Sequence, residues 1–437
     1  QEANDEGVQA SDGLDVIVVT ARKREEDLQE VPLSVTAFSS KAIEDRNIED
    51  ASDFLSATPN ISINQSQSAG VSFITVRGVS QVRNGESPVA VVVDGVQQVT
   101  SRQLTQELFD IESIQVLRGP QGALYGRNAI GGAIVITTKK PSDYLEGSFR
   151  AGYGRGDDYR IGGSISGPLA GDSVGFRLSG SYRNLDGYYD NILLDEKVDP
   201  IEDFNIRGQI FAELSPDFTL DLKAQHGETI GGGGNFQYQS ANYDPARPCF
   251  LDPANPLGGP TPDANSVSRT FCATNLGYNK RITTQVSLKL DYDLGFATIT
   301  NVTAYDHIEE NILADQFPYT AEVDLFGSLD GTQTQYENVE AWSNELRIAS
   351  PVNQPFRWMV GGYYLHTERF ISTTTGDDNN MGIVPVFREP KFNDPVNPTL
   401  SFLADDNKNE AWALFGSIAY DLTDRLELSF AGRYDKD

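Results

Sequence analysis

A run of glycines beside a β-prone segment is the first feature of the sequence that could do chemistry. Five glycines lie within fourteen residues of the stretch SIQVLRGPQGALYGRNAIGGAIVITTKKP, residues 113–141. They are Gly119, Gly122, Gly126, Gly131 and Gly132. A phosphate site would need G-x-x-x-x-G-K-[ST] or G-x-G-x-x-G and a following helix whose first N–H groups hold the anion. Neither motif is present, and the β-prone run GAIVITTKK follows. The glycines therefore predict turns and close backbone packing rather than a nucleotide site.

Cysteine and histidine are scarce. Cys249 and Cys272 share one stretch rich in Pro, Gly and Asn, which predicts a local disulfide in an oxidising compartment, with two unrelated thiols as the alternative. His226, His307 and His366 have no metal-ligand spacing, and no histidine lies between the cysteines, so we predict no metal site. G-x-S-x-G and H-E-x-x-H are absent, and no cysteine pairs with a histidine. We therefore predict no catalytic residues, no cofactor and no enzyme.

Composition narrows the classes further. The chain has 34 Lys and Arg against 63 Asp and Glu, a formal net charge of −29, which argues against nucleic acid as a partner. No apolar run of about 18 residues exists, so no transmembrane helix is predicted. The opening QEANDEGVQASDG is polar and acidic, and we expect residues 1–14 to be a disordered arm. It resembles the start of a mature exported chain, although no signal peptide is visible.

Up to about residue 141 the sequence alternates short helical and strand patterns. Residues 39–60, SSKAIEDRNIEDASDFLSATPN, predict a helix pair or a broken helix that ends at Pro-Asn. The β-branched runs VSFITVRGV, SPVAVVVDGV and IESIQVLRG predict short strands with turns. These patterns indicate a small mixed α/β domain.

From about residue 145 onward, apolar and polar residues alternate strictly in segments of roughly ten residues. In GFRLSGSYRN, for example, Phe176, Leu178 and Tyr182 alternate with Arg177 and Ser179. About eleven such strands are predicted, near 145–154, 159–167, 173–184, 203–214, 217–228, 281–293, 296–310, 336–349, 356–371, 409–421 and 425–435.

The connections between these strands differ in length at the two ends. One end has the short turns PLAGD, LSPD, DLG, SPVNQP and LTDR, whereas the other has mostly long loops, such as residues 229–280. Short turns at one end and long loops at the other are typical of an outer-membrane β-barrel. A soluble β-sandwich or a lipocalin-like barrel would explain the alternation of apolar and polar residues equally well. It would not explain why short turns lie at one end of the strands and mostly long loops at the other.

Ordered motifs along nearly the whole chain resemble TonB-dependent outer-membrane receptors. The motifs are DVIVVTARKREEDLQEVPLSVTAFS, FLSATPNISI, TVRGV, VAVVVDGV, DIESIQVLRGPQGALYGRNAIGGAIVITTKKP, AWSNELRIAS and AWALFGSIAYDLTDRLELSFAGRYDKD. The resemblance implies an α/β plug domain followed by an antiparallel transmembrane β-barrel, with about 11 strands present of an expected 22. It divides the chain into an arm (1–14), a TonB box (15–21), a plug domain (22–141) and the N-terminal half of the barrel (142–437). Because the family's barrel is longer, we expect the chain to be truncated part-way through it.

The segment DVIVVT is a ready strand for β-augmentation by a partner sheet, with an ordinary first plug strand as the alternative. The resemblance implies that TonB, with its ExbB–ExbD energising complex, binds there. The predicted TonB-binding residues are Asp15, Val16, Ile17, Val18, Val19 and Thr20. The resemblance also implies that the protein lies in the outer membrane, in contact with its lipid, and that its N-terminus is periplasmic.

The resemblance further implies ionic latches between plug and barrel. Arg77 in VRG and Arg118 in LRG are the expected plug partners. Glu345 is the expected barrel partner, because alternation places it opposite Trp342 and Leu346 and hence towards the lumen.

For cargo, the resemblance favours energy-coupled uptake of a scarce nutrient, most commonly a ferric siderophore. Vitamin B12, haem and a saccharide stay open as alternative cargoes, and the chain could also be a non-functional fragment of such a receptor. A plug and a TonB box argue against a passive porin or an adhesin. The candidate ligand-binding residues are Gln81, Arg83, Asn84, Phe236 and Tyr238.

Overall fold

A computed structural model gives the architecture of the chain. It describes residues 18–19, 22–24, 26–27, 31, 33–65, 72–81, 87–105, 108–171, 173–234, 270–316, 331–378, 382–396, 398–423 and 425–437. No helix among these residues is long and apolar enough to cross a membrane.

The first part of the chain is a mixed α/β domain, the plug. Its strands are β1 (Val18–Val19), β2 (Glu26–Asp27), β3 (Val35–Ser39), β4 (Ile61–Gln65), β5 (Ser72–Val76), β6 (Val79–Ser80), β7 (Val89–Val93), β8 (Val96–Gln97), β9 (Ile111–Arg118) and β10 (Gly132–Thr138). Its helices are α1 (Ser40–Asp45), α2 (Ala51–Ser56) and α3 (Gly122–Tyr125), with a 3₁₀ turn at Ser101–Thr105.

A five-stranded sheet of order β3-β9-β10-β7-β8 carries the plug core. The predicted helix pair is present as α1 and α2, and Asp50 caps α2 by accepting the N–H groups of Ser52 and Asp53. The helices cover one face of the sheet, because their buried side chains pack with those of β9 and β10. The largest contributors to this cluster are Phe38, Phe54, Leu55, Ile74, Ile114 and Ile134.

The rest of the chain builds one large antiparallel sheet. Its strands are β11 (Glu146–Gly154), β12 (Asp158–Ala170), β13 (Val174–Leu185), β16 (Ile201–Ser215), β17 (Phe218–Gly231), β19 (Tyr278–Asp293), β20 (Thr298–Asp315), β21 (Gly331–Ala349), β22 (Phe356–Asp377), β23 (Thr399–Thr423) and β24 (Leu426–Lys436). The short strands β14 (Asp190–Asn191), β15 (Glu196–Lys197) and β18 (Thr270–Phe271) form a separate small sheet in the long loops.

The eleven strands pair in chain order, with β11 and β24 at the two edges. One face points outward and is apolar, as Trp342 and Leu346 show with 54% and 52% exposure, whereas Glu345 between them is 7% exposed. The predicted fold class, a plug followed by an antiparallel barrel sheet of about eleven strands, is confirmed.

Aromatic pairs on the outward face form two belts. Phe218–Tyr292 and Phe356–Tyr420 lie beside the short turns, with ring centroids 6.0 and 6.4 Å apart. Tyr305–Trp342 and Trp412–Tyr434 lie further along the strands, with centroids 4.9 and 5.8 Å apart. Such belts mark the two interfaces of a membrane-spanning barrel.

Several strands extend further at the long-loop end than the alternation predicts. β23 begins at Thr399, whereas the pattern suggested a start near residue 409. Beyond Trp412 the outward positions hold Glu410, Lys408 and Asp406, so the apolar phase stops while the backbone ladder continues. The sequence pattern reports the lipid-facing band, and the sheet is longer than that band.

The glycine-rich stretch packs the plug tightly against the sheet. Gly126 has φ of +70°, and a Cβ there would lie 2.5 Å from the guanidinium carbon of Arg433 on β24. The positive φ favours glycine at this turn, and the nearness of the Arg433 side chain shows how closely the turn approaches β24.

Candidate plug–barrel interface

The predicted TonB-binding segment is described in part. Val18 and Val19 form β1 and pair antiparallel with Asp27 and Glu26 of β2. The other predicted residues of this segment, Asp15, Val16, Ile17 and Thr20, lie outside the described residues.

Three consecutive cations at residues 22–24 follow this segment and reach three different barrel strands. The contacts are Arg22 with Glu427 on β24, Lys23 with Glu345 on β21 and Arg24 with Ser417 on β23. We call these three residues the cationic triplet. Because three strands hold three adjacent residues, the start of the plug is fixed to the barrel wall at several points.

Lys23 is the most enclosed member of the triplet. Its Nζ is 2.6 Å from Glu345 Oε2 and lies 4.7 Å from the ring centroid of Phe415 and 5.7 Å from that of Tyr125. Burial lowers the pKa of the Lys23 ammonium, and the charge of Glu345 acts in the opposite direction. Removing one partner of such a shielded pair leaves the other charge buried and uncompensated, which is costly.

Glu345 is brought to the plug by Lys23 rather than by the predicted arginines. Its second partner is Arg347 on the same strand, at 2.7 Å. Arg118 Nη1 instead donates to the Pro59 carbonyl at 3.4 Å. Arg77, with φ of +49°, lies over Gly119, where a Cβ would be 2.9 Å from its Nη1. In the described contacts, neither of these two arginines reaches Glu345.

A network at the short-turn end ties the triplet to the barrel rim. Arg357 at the start of β22 lies 2.5 Å from Asp421 and 2.7 Å from Glu427, which joins the ends of three strands. Arg22 shares Glu427 at 2.7 Å and also contacts Glu26 at 2.5 Å. The segment that adjoins the predicted box is therefore anchored at this rim.

A second cluster fixes the plug to β13 and β16 through Asp110. Arg177 contacts this carboxylate in a bidentate fork, with Nη2 2.6 Å from Oδ1 and Nε 2.7 Å from Oδ2. Arg207 donates to the Phe109 and Asp110 carbonyls at 3.1 Å. Burial alone would raise the pKa of Asp110, but the bond to Arg177 and the charges of both arginines outweigh it and lower the pKa.

Asp94 provides a similar anchor to β17. Lys223 Nζ lies 2.9 Å from its Oδ2, and the Thr138 N–H and hydroxyl donate to its two oxygens at 2.9 and 2.8 Å. Burial would raise the pKa of Asp94, yet Lys223 and the Thr138 N–H reverse the shift and lower it.

A third cluster holds the 3₁₀ turn of the plug against the long-loop half of the wall. Arg102 contacts Glu310 at 2.5 Å and also contacts Glu337. Arg281 reaches the same Glu310 at 2.6 Å, and both of these barrel side chains are 1% exposed. Two arginines from different domains thus share one buried carboxylate.

The contact with β22 and β23 is apolar. Leu124 and Tyr125 of α3 and Ala129 pack with Met359 and Phe415, which are 0% and 4% exposed. This dry contact lies beside Lys23, since Phe415 and Tyr125 also flank its ammonium.

A polar cavity of about 450 Å³ separates other parts of the plug from β21–β23. Gln97, Arg127 and Asn128 line it from the plug, and Tyr363, Asp405 and Asn407 line it from the barrel. Of the predicted ligand-binding residues, Gln81 follows β6 and is not among those that line this cavity. Arg83, Asn84, Phe236 and Tyr238 lie outside the described residues.

Cys272 follows β18 and is disulfide-bonded. Cys249, the other predicted member of the pair, lies outside the described residues, so the pairing stays a prediction.

Sequence reasoning missed most of these anchors. Asp94, Asp110 and Arg102 are single charges in short plug segments, and Lys23 lies in a short run of cations. Their sequence surroundings do not distinguish them from solvated surface residues. On the barrel side a signal did exist, because Arg177, Arg207, Lys223 and Arg281 fall in the inward phase of their strands. Charges at inward positions reach the lumen, where the plug of this protein lies.

These features together define a plugged outer-membrane β-barrel: a folded α/β domain held by ion pairs against the inner face of a membrane sheet with two aromatic belts. Two family models match the chain, the TonB-dependent Receptor Plug Domain at residues 27–133 and the TonB dependent receptor-like beta-barrel at residues 228–437. The chain belongs to the TonB-dependent receptor family, whose members are outer-membrane receptors and transporters rather than enzymes. Its place is the outer membrane, with the plug's N-terminus on the periplasmic side, so the short-turn end is periplasmic.

Individual relatives are similar over part of their length. The pesticin receptor of Yersinia pestis is 34% identical over 155 residues, 35% of this chain and 23% of that protein. The vitamin B12 transporter BtuB of Vibrio vulnificus is 33% identical over 180 residues, 40% of this chain and 28% of that protein.

Among solved structures, the ferric yersiniabactin uptake receptor FyuA of Yersinia pestis superposes with a TM-score of 0.73 at 17% identity, over 92% of this chain and 60% of that one. The chain thus spans less than two thirds of the length of each of these proteins.

Proposed function

We propose that this chain carries the plug and a part of the barrel of a receptor that imports a scarce nutrient with energy supplied through TonB. The observation that carries the proposal is the placement of the cationic triplet. It fixes the start of the plug to three barrel strands, directly after the segment proposed to bind TonB. Force applied to that segment reaches these contacts before it reaches the plug core.

The proposed TonB-binding residues are Asp15–Thr20, recognised by β-augmentation. Among the described residues, the pairing of Val18 and Val19 with β2 covers two residues of each strand, and a partner strand could replace these two pairs at little cost. TonB, energised by ExbB–ExbD, is the proposed partner on the periplasmic side.

For the cargo we propose a ferric siderophore, with vitamin B12, haem or a saccharide as alternatives. FyuA is named for ferric yersiniabactin uptake, and BtuB for vitamin B12. The polar cavity beside Arg127 and Asn128 offers room for part of such a ligand. Gln81, Arg83, Asn84, Phe236 and Tyr238 stay the candidate ligand-binding residues, and Arg77, Arg118 and Glu345 stay the candidate plug–barrel latch.

Uptake by cells that depend on this receptor tests the cargo. ⁵⁵Fe-labelled siderophores and ⁵⁷Co-labelled vitamin B12 would be offered separately, with and without a protonophore. We expect accumulation of iron that ceases when the proton gradient collapses. If only the vitamin accumulates, vitamin B12 replaces the ferric siderophore as the proposed cargo. If the cargo accumulates equally with and without the protonophore, the proposal of energy coupling is contradicted.

A further inference from the structure

Part of the outer wall of the barrel is covered above the membrane. Along β21 the outward phase is exposed at Trp342, yet Tyr336 and Thr334 on the same phase are 9% and 2% exposed. Their neighbours on β22, Ser372 and Thr374, are 1% and 4% exposed. Something on the outside of the sheet therefore shields these positions.

The cover is residues 382–396, in the long connection between β22 and β23, which we call the strap. Its backbone is held by outward hydroxyls rather than by a strand ladder. Ser372 Oγ donates to the Phe387 carbonyl at 2.5 Å. Thr374 and Thr334 donate to the Val386 carbonyl at 2.8 and 3.1 Å. The strap is thus built onto the outer face and does not fold into the lumen.

At the centre of the strap, Arg388 is fixed over two aromatic rings. Its guanidinium carbon lies 4.1 Å from the ring centroid of Phe370 and 5.3 Å from that of Tyr336. Phe387, the strap residue before Arg388, stacks on Tyr336 with the two ring centroids 5.2 Å apart. Stacking orients a guanidinium without using its N–H donors, which stay available to a ligand.

Those donors meet no carboxylate in the part of the chain that the structure describes. Arg388 is exposed, and none of the ion pairs between described residues includes it. Two carboxylates lie near Phe370 on the same outward face. Glu368 is neutralised by Lys408 at 2.8 Å, whereas Asp406 is paired across the ladder with Phe370 and forms no ion pair with Arg388 in the described contacts.

The height of this site decides what it can meet. Phe370 is four residues along β22 from His366, which is paired directly with Trp342 of the upper aromatic belt. Four residues of strand span roughly 13 Å, and a strand tilt of about 40° reduces this to about 10 Å above the belt. The headgroup region of an ordinary bilayer extends only about 5–7 Å beyond the hydrocarbon on each side, so this level lies above the phosphates of phospholipids. A phosphate at this height is one that is carried on the sugars of a glycolipid.

We propose that Arg388, held by Tyr336 and Phe370, binds a phosphate of an outer-leaflet glycolipid on the outside of the barrel. The planar fork of a guanidinium suits a phosphate, and the exposed side chains of Lys391 and Phe392 on the same strap add a second cation and an apolar contact to the same lipid. The site is separate from the lumen and does not depend on which cargo is carried.

Binding to the wild-type chain provides the first test and requires no variant. The chain in detergent micelles is titrated with lipid A that carries its phosphates and with the dephosphorylated lipid A of the same acyl composition. We expect about tenfold tighter binding of the phosphorylated lipid, the effect of one charge-assisted fork. Equal binding of the two lipids overturns the proposal, and so does full competition by inorganic phosphate at equal concentration.

Variants locate the site. Arg388→Ala should lose the preference for phosphorylated lipid A, and Arg388→Lys should keep only part of it, because lysine retains the charge without the stacked fork. Arg155→Ala, which removes an exposed arginine from the connection between β11 and β12 at the same end of the barrel, is the matched control and should keep the full preference. If Arg388→Ala binds like the wild type, or if Arg155→Ala loses the preference to the same extent, the assignment to Arg388 is wrong.

Discussion

At the scale of single residues, the plug is held by charges that are shielded from water. Lys23, Asp94, Asp110 and Arg102 each meet an oppositely charged barrel side chain. Such pairs add less net stability than their Coulomb attraction suggests, because desolvation opposes it. They nevertheless fix position strongly, since breaking one leaves a buried charge without its partner.

Replacing Glu345 by Gln should loosen the start of the plug. Lys23 would then lie beside Arg347 without a carboxylate, and the local free energy of unfolding should fall by about 3 kcal/mol. Limited proteolysis of residues 22–31 in the folded chain measures this opening, and cleavage should become at least tenfold faster.

The matched control for that experiment is Glu340→Gln. Glu340 lies on the same strand but on the outward, exposed face. Its replacement should leave the cleavage rate unchanged. Equal rates in both variants would show that the Lys23–Glu345 pair does not hold the segment.

The pKa values of Asp94 and Asp110 predict how plug stability depends on pH. Both lie below the ordinary value of 3.8, so the folded state binds protons less readily than the unfolded state. Their contribution is complete above the unfolded pKa and is lost as pH falls through the lower, folded values. In urea unfolding, the contribution of these two carboxylates to the free energy of unfolding should therefore be constant from pH 7 to about pH 5 and fall steeply below about pH 4.

Asp94→Asn should remove about 3 kcal/mol at pH 7 and flatten part of this acid dependence, because Lys223 loses its partner. Asp45→Asn serves as the control, since Asp45 forms only an exposed i,i+4 pair with Lys41 on α1. Identical pH profiles for the wild type and Asp94→Asn would contradict the account.

The sequence located one member of the Lys23–Glu345 pair but not the other. Alternation along SNELRI was enough to predict that Glu345 faces inward. Its partner lies 322 positions away, and nothing local distinguishes the triplet RKR from a solvated run of surface charge. Pairing across such a separation depends on where the plug sits inside the barrel, which no window of sequence contains.

At the scale of elements, the barrel strands follow directly from their period of two. The lipid needs apolar side chains on one face and the lumen needs polar ones on the other, so eleven strands could be predicted from alternation alone. The strand extensions above the upper belt and the strap on the outer wall could not be predicted in this way. Both faces of the sheet there are polar or covered by a loop, so apolar and polar residues do not alternate. The pattern that identifies a strand disappears where the membrane ends.

A charge on the lipid face should be far more costly than the same charge above the membrane. Leu346→Arg places a guanidinium in the apolar band and should destabilise the folded sheet by about 2–4 kcal/mol. Leu400→Arg, at an exposed position in the irregularity near the start of β23 and beyond the upper belt, should change stability by less than about 0.5 kcal/mol. Urea titration in lipid vesicles would measure both, and similar losses would contradict the assigned position of the membrane.

At the scale of the whole molecule, the plug is attached unequally around the wall. Ion pairs and forks join it to β13, β16, β17, β20, β21 and β24. An apolar contact joins it to β22 and β23, and a polar cavity separates it from part of β21–β23. The triplet at residues 22–24 lies at the periplasmic rim, next to the segment proposed to receive force. A pull from the periplasm would therefore break the rim contacts first, while the clusters deeper in the lumen still hold the core.

Energy-coupled uptake with and without the proposed TonB segment tests the central claim most directly. Cells that rely on this receptor would be compared with cells whose receptor lacks residues 15–20, and with a control that lacks the six arm residues 1–6. The account predicts that cargo still binds to all three at the cell surface, whereas accumulation inside the cell is lost only without residues 15–20. Undiminished accumulation after that deletion would contradict it.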